Sequence, residues 1–164
     1  MSEMKNLMID IETLGTKPGA VIMSIAAVYF DIETGETGKE LHVKISLAES
    51  LHNDYTIDPD TLLWWSKLPN FSSTVDGKEN VTCALMALAN FVVEDSIVWG
   101  NSARFDLGHL ENAYLTQGIT VPWEFRNERD VRTLVMFAPE IKDNMTFEGV
   151  LHDPIDDCKH QIKY

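Results

Sequence analysis

Residues 6–16, NLMIDIETLGT, decide how the rest of the chain is read. An apolar run, Leu7-Met8-Ile9, ends in Asp10-Ile11-Glu12, followed by Thr13, Leu14 and Gly15. Alternate residues of a strand share a face, so Asp10 and Glu12 project to the same side. Two carboxylates at the end of an apolar strand repel each other unless a cation sits between them. Buried charge of one sign is expensive without a partner, and no Lys or Arg lies within the stretch. The competing reading is a strand that runs out into a solvated acidic turn. The letters DIET recur at residues 31–34, within DIETGETGK, where two glycines and several acids read as a hairpin turn. There the same tetrapeptide is expected to be solvated and inert. Position decides, not the letters.

The chain has 164 residues, which suits one domain with a single substantial core. Hydrophobic residues make up 45% and charged residues 24%, as in an ordinary soluble globular protein. No apolar run reaches the roughly 20 residues of a membrane span, and MSEMKN lacks a signal-peptide layout. Cys83 and Cys158 are the only cysteines and lie far apart, which argues against a disulfide scaffold or a cysteine zinc site. A cytoplasmic protein with no membrane partner is the default expectation. The net charge is −13, from 26 acidic and 13 basic residues. That excludes broad, charge-driven coating of duplex nucleic acid. It leaves room for an enzyme that holds one strand end at a metal centre, where bound cations supply the positive charge.

Beyond Gly15, Pro18 and Gly19, residues 20–31 (AVIMSIAAVYFD) are apolar on both faces and read as a central strand. Residues 40–47 (ELHVKISL) alternate as a half-buried strand, so three strands form an antiparallel meander. Residues 48–57 read as loop. Asp58-Pro59 caps and opens a helix that carries TLLWWSKL and stops near Pro69. Residues 70–78 read as loop, 79–93 as a helix, 96–100 as a strand, and FDLGHLENAYLTQG as a helix ending near Gly118. WEFRNERD is ambiguous, with a short strand as one reading, and DVRTLVMFAPE reads as a helix stopped by Pro139. In TFEGVLHDPIDDCKHQIKY the pattern predicts a helix, a broken turn, and a second helix opened at Pro154. Strands first, then helices alternating with short strands, imply an α/β domain with a mixed sheet.

Four features then fall in order: Asp10-x-Glu12, Asp106 in WGNSARFD, His152, and Asp157 five positions later. Hydrolysis of a phosphodiester with two divalent ions calls for this kind of set. Mg²⁺ and similar hard cations prefer carboxylate oxygens, and two ions about 4 Å apart stabilise both attacking and leaving oxygens. A His with a pKa near its usual value of about 6.5 suits removal of a proton from the attacking water. Singly, Asp106 reads as well as a helix cap, and His152 as a packed or surface histidine.

MIDIETLGT, IDPDTLLWW, WGNSARFD, RDVRTL and FEGVLHDPIDD, which span residues 8–157, resemble the DEDDh group of 3′–5′ exonucleases. Within it, the sequence is most similar to the phage and prophage exonuclease VIII-type branch, related to the small exoribonuclease RNase AS. The resemblance implies a ribonuclease H-like fold, α/β with a mixed five-stranded sheet flanked by helices, filling 1–164 as one exonuclease domain. It implies two Mg²⁺ or Mn²⁺ ions per site, with Asp10 bridging both. Glu12 and Asp157 would hold the tighter ion and Asp106 the second, with His152 as general base. Thr13 and Leu14 would contact the last nucleotide. Asn101 is a further candidate contact. Of Trp64 and Trp65 at most one, Trp65, is expected to stack on a base. Arg104, Arg129 and Arg132 are candidate phosphate contacts, and Asp130-x-Arg132-Thr133 has no role assignable from the residues.

The expected substrate is a single-stranded DNA or RNA 3′ end, with a slight lean to DNA. The expected setting is a bacterial or phage-infected cell, and a homodimer is in keeping with relatives. Two departures stand out: Asp153-Pro154 replaces a small uncharged pair beside His152, and the final helix is short. They motivate an alternative, a non-catalytic nucleic-acid-binding or adaptor module that kept the fold.

Overall fold

The computed structural model describes residues 4–164. Strand β1 (Asn6–Thr13) is the middle of a five-stranded sheet ordered β3-β2-β1-β4-β5, with β2 at Ile22–Phe30, β3 at Thr37–Lys44, β4 at Ile97–Gly100 and β5 at Glu128–Asp130. The β1–β2 and β2–β3 pairs are antiparallel, as the meander predicts, whereas β4 and β5 run parallel to β1. The mixed sheet is the expected one.

Alternation along β1 divides the protein into two layers. Leu7, Ile9 and Ile11 point to the larger core, which is completed by α4 (Val81–Phe91) and α5 (Ala103–Thr116) through Leu85, Leu88, Leu107, Leu110 and Tyr114. Met8 points the other way, into a smaller core with Val28, Trp99, Val131, Cys158 and Ile162, the last two from α8 (Pro154–Ile162). Asp10 and Glu12 continue the Met8 side, so the strand's two acids share the face covered by α8. β2 is buried along its whole length, as its double-sided apolar sequence requires.

Several boundaries differ from the sequence reading, each for a local reason. The edge strand β3 ends at Lys44, and Leu47 opens α1 (Leu47–His52) because the Ser46 hydroxyl accepts the Glu49 N–H; residues 48–57 are therefore not all loop. Within the stretch read as loop after Pro69, Phe71–Thr74 forms one turn, α3. Pro139 opens a helix, α7 (Pro139–Asp143), after α6 (Val131–Val135) has already ended. The helix expected from Thr146 does not form. Gly149 sits at φ +107°, and the Val150 N–H donates to the Asp156 carboxylate at 2.8 Å rather than to a helical carbonyl.

Helix α2 (Pro59–Trp65), capped by Asp58 as expected, carries adjacent tryptophans with opposite fates. Trp65 is 2% exposed, stacks on Phe71 at 6.2 Å and donates its indole N–H to the Thr13 carbonyl at 3.0 Å. Trp64 is 45% exposed. Trp65→Ala should therefore cost about 3–5 kcal/mol in urea unfolding, against less than about 1 kcal/mol for Trp64→Ala. Equal losses would contradict this division.

Candidate active site

The site lies at the carboxyl ends of the parallel pair β1 and β4, where α/β sheets open a crevice. The pairing of β4 with β1 ends at Ile9↔Gly100, so Asp10–Thr13 run on past its end. On the other side the register slips between Glu12 and Thr13, a bulge that re-aims the strand where its acids emerge. Into the gap beyond Gly100 comes Asp106, from the first turn of α5. A Cβ on Gly100 would lie 3.1 Å from the Asp106 carboxylate, which explains the glycine. Asp106 accepts the Ser102 N–H at 3.2 Å.

From the other side α8 contributes Asp157. Asp153 caps this helix, accepting the Ile155 N–H at 3.1 Å, and Pro154 takes its first position. The Asp153-Pro154 pair thus stiffens the junction between His152 and Asp157. One turn after Asp157, Gln161 donates to Asp10 Oδ1 at 2.9 Å, buried, and leaves its own Oε1 without a partner. Gln161 is a site residue that sequence reasoning missed; its spacing of four from Asp157 on one helix face is the signal that points to it.

All five expected residues, Asp10, Glu12, Asp106, His152 and Asp157, line one open cleft of about 890 Å³. Glu12, His152 and Asp157 come together most closely, with ligand atoms all within 4.8 Å of one another. Asp10 and Glu12 are each 8% exposed and Asp106 is 3% exposed. Their protons are held accordingly. Burial, then the charges of Asp10, Asp157 and Asp106, push Glu12 up to about 10. Burial raises Asp10 well above the carboxylate range, with Asp106 adding to it, while the Gln161 hydrogen bond opposes. Burial pushes Asp106 up to about 7 against backbone hydrogen bonds and the Arg132 charge, and Asp157 up to about 6. Burial lowers His152, which favours the neutral imidazole. A cluster of oxygen donors that hold protons because of burial and one another's charge, with the Arg132 charge opposing at Asp106, fits hard divalent cations.

The expected substrate contacts fare unevenly. Leu14 is fully buried in the core; Trp65 is 2% exposed and donates to the Thr13 carbonyl, yet with Thr13 it forms part of the wall of a groove beside Glu12. The Thr13 hydroxyl donates to the Gly15 carbonyl at 2.7 Å, so its side chain is committed to the turn. Asn101 lines the cleft with a buried, unpartnered Oδ1. Exposed Trp64 borders a shallow groove with Phe105, Asp60 and Thr61 next to Glu12. Arg104 and Arg132 line the cleft with Lys17 and Lys142, whereas Arg129 is pinned to the carbonyls of Arg126 and Glu128, each at 2.8 Å. Asp130 gains a role: it accepts the Ala103 N–H at 2.9 Å, holding the start of α5, and caps α6 through Thr133 at 2.9 Å.

The fold matches that of exonuclease I. One exonuclease I structure is 21% identical with a TM-score of 0.73, over 96% of this chain and 39% of that one. The zinc-bound complex of Escherichia coli exonuclease I with single-stranded DNA is 19% identical with a TM-score of 0.72, over 96% and 38%. A complex of the same enzyme with a labelled dT13 oligonucleotide is 22% identical with a TM-score of 0.69, over 96% and 38%. The chain spans about two-fifths of the length of these structures. They show that the chain shares the α/β fold of exonuclease I, a mixed five-stranded sheet flanked by helices. The chain belongs to the 3′–5′ exoribonuclease Rv2179c-like domain family, whose family model matches residues 5–164. A comparison with curated protein sequences gives no match.

The acids generate an unusual pH dependence in metal-free protein. The unfolded chain releases its carboxyl protons near pH 4. The folded chain holds them until about 6 at Asp157, about 7 at Asp106 and about 10 at Glu12. Folded pKa values raised above unfolded ones give stability that is present at low pH and lost as pH rises through that window. Metal-free Tm should thus fall by about 5 °C or more between pH 5 and pH 8.5, each kcal/mol being worth about 2–4 °C. Mn²⁺ should restore it, more strongly at pH 8.5 than at pH 5. Glu12→Gln should raise the metal-free Tm at pH 8.5 and shrink the Mn²⁺ response. A flat metal-free profile in scanning fluorimetry would contradict the burial of these charges.

Proposed function

We propose that the chain is a divalent-metal-dependent 3′–5′ exonuclease that releases nucleoside monophosphates from single-stranded 3′ ends. The observation that carries this is the convergence of four carboxylates and one neutral histidine in a single cleft at the ends of β1 and β4. Two Mg²⁺ or Mn²⁺ ions, when bound, supply Lewis-acid polarisation of the phosphodiester and a more acidic attacking water. Asp10 would serve both ions, Glu12 and Asp157 one of them, and Asp106 the other. His152 takes the proton of the attacking water, a task suited to an imidazole that burial keeps neutral. Gln161 orients Asp10 through its amide, leaving the second carboxylate oxygen free.

Lys17, Arg104, Arg132 and Lys142 along the cleft offer phosphate contacts in a chain whose net charge is −13. Exposed Trp64 offers a face for the terminal base, in place of Trp65. Single-stranded RNA is the proposed substrate. The resembled branch leans only slightly to DNA, and the solved exonuclease I complexes hold DNA, but the description of the family that matches residues 5–164 is of an exoribonuclease. The whole of residues 1–164 is proposed to work as one exonuclease domain, on the branch that includes the phage exonuclease VIII-type enzymes and RNase AS. A homodimer is part of the proposal. Leu134, Met136, Phe137 and Ile141 expose an apolar strip along α6–α7 that a second copy would cover. The adaptor alternative gains no support here, because a pure binder has no use for buried, uncompensated carboxylates.

The test is digestion of matched 5′-labelled RNA and DNA oligomers with Mn²⁺. A ladder shortening from the 3′ end is expected, faster on RNA. Asp10→Ala and His152→Ala should each lower kcat by about 10²–10⁴-fold. Intact RNA and DNA after incubation with wild-type protein would sink the enzyme reading, and nicked circular DNA would point to an endonuclease. Light scattering at micromolar concentration should give twice the chain mass, and Phe137→Asp should halve it.

A further inference from the structure

We propose that Asn70 is the positioning residue of His152, an inference that rests on the general-base role given to His152 above. His152 holds φ at +63°, a left-handed conformation that a residue with a side chain rarely adopts unless its surroundings impose it. That conformation turns the carbonyls of Leu151 and His152 out of any helix or sheet. Asn70, more than eighty residues earlier in the chain, donates its side-chain amide to both, at 3.2 Å and 3.3 Å. Only the NH₂ end of the amide can satisfy two carbonyls, so the orientation of the group follows from chemistry.

Asn70 is itself fixed. Its own carbonyl accepts the Ser73 hydroxyl at 2.8 Å and the Thr74 hydroxyl at 2.9 Å, which ties it to the start of α3. The imidazole meanwhile rests edge-on against Trp64 at 4.9 Å and Trp65 at 5.8 Å. Asn70 does not line the catalytic cleft; it reaches the chemistry through the backbone of Leu151 and His152. It lines a second cavity, of about 450 Å³, together with His152 itself and with Ser24, His42, Lys44 and Asp153. A loop freed from the amide has that space to relax into, and the imidazole would leave the position from which it reaches Glu12 and Asp157.

The test is a double-mutant cycle on RNA hydrolysis with Mn²⁺, accompanied by Mn²⁺ calorimetry and Tm. Asn70→Ala should lower kcat by about 10–100-fold with KM within about twofold, the scale of a misplaced catalytic group. Mn²⁺ affinity should stay unchanged. In a His152→Ala background the same substitution should lower kcat no further, because its whole effect passes through the imidazole. Asn70→Asp keeps the size but sets an acceptor against two carbonyls, so it should be at least as slow as Asn70→Ala; wild-type kcat in Asn70→Asp overturns the proposal even if the alanine variant folds poorly. A further loss in the His152→Ala background would show a general structural role and overturn it too. If His152→Ala is slow and Asn70→Ala is not, the positioning role alone fails; if His152→Ala keeps wild-type kcat, the general-base reading fails.

Discussion

The structure turns on the mutual repulsion of Asp10 and Glu12, held on one face of a buried central strand. The core on the opposite face of β1 fixes that strand through Leu7, Ile9 and Ile11, so the acids cannot swing into solvent without unravelling the sheet. The fold meets the cost in two ways. It opens the site at the strand ends, by stopping β4 at Gly100 and bulging β1 at Thr13, and it sets neutral donors directly on the acids, Gln161 on Asp10 and the Ser102 N–H on Asp106. The residual charge is left for divalent cations to offset. A site balanced by its own basic residues would gain stability and lose its affinity for metal.

The two copies of DIET show why letters alone cannot find such a site. At residues 31–34 the Asp31 carboxylate folds back onto its own turn, accepting the Glu33 N–H at 3.0 Å and the Thr34 N–H at 2.9 Å. The hydrogen bonds from Thr34 and Glu33 lower its proton affinity, outweighing desolvation. At residues 10–13 the same letters run along an extended strand with neighbours on both sides, and the carboxylates are left with almost no local donors. One context spends the acid on the backbone, and the other keeps it for chemistry.

Much of the fold was legible because it rests on short-range patterns. The apolar faces of β1 and β2, the Asp58-Pro59 start of α2 and the Pro154 start of α8 all appear where periodicity and capping place them. The five acid and histidine positions were legible through their order, and the structure brings them to one cleft. What escaped depends on tertiary contact. Nothing local marks Trp65 as the buried member of its pair, or Asp130 as the clamp on two helix starts. The stretch 146–151 has a helical look, yet Gly149 and the Asp156 carboxylate redirect it. Tertiary hydrogen bonds outweighed a weak local preference.

The bond between Gln161 and Asp10 joins residues 151 positions apart and closes the site with its last element. During synthesis the acidic strand emerges long before α8, and until that helix docks, Asp10 and Glu12 have neither His152 nor Asp157 beside them. Closure of so distant a contact comes late in folding, because its loop entropy is met only after nearer contacts have formed. The cleft is complete only when α8 docks and His152 and Asp157 come to the acids of β1.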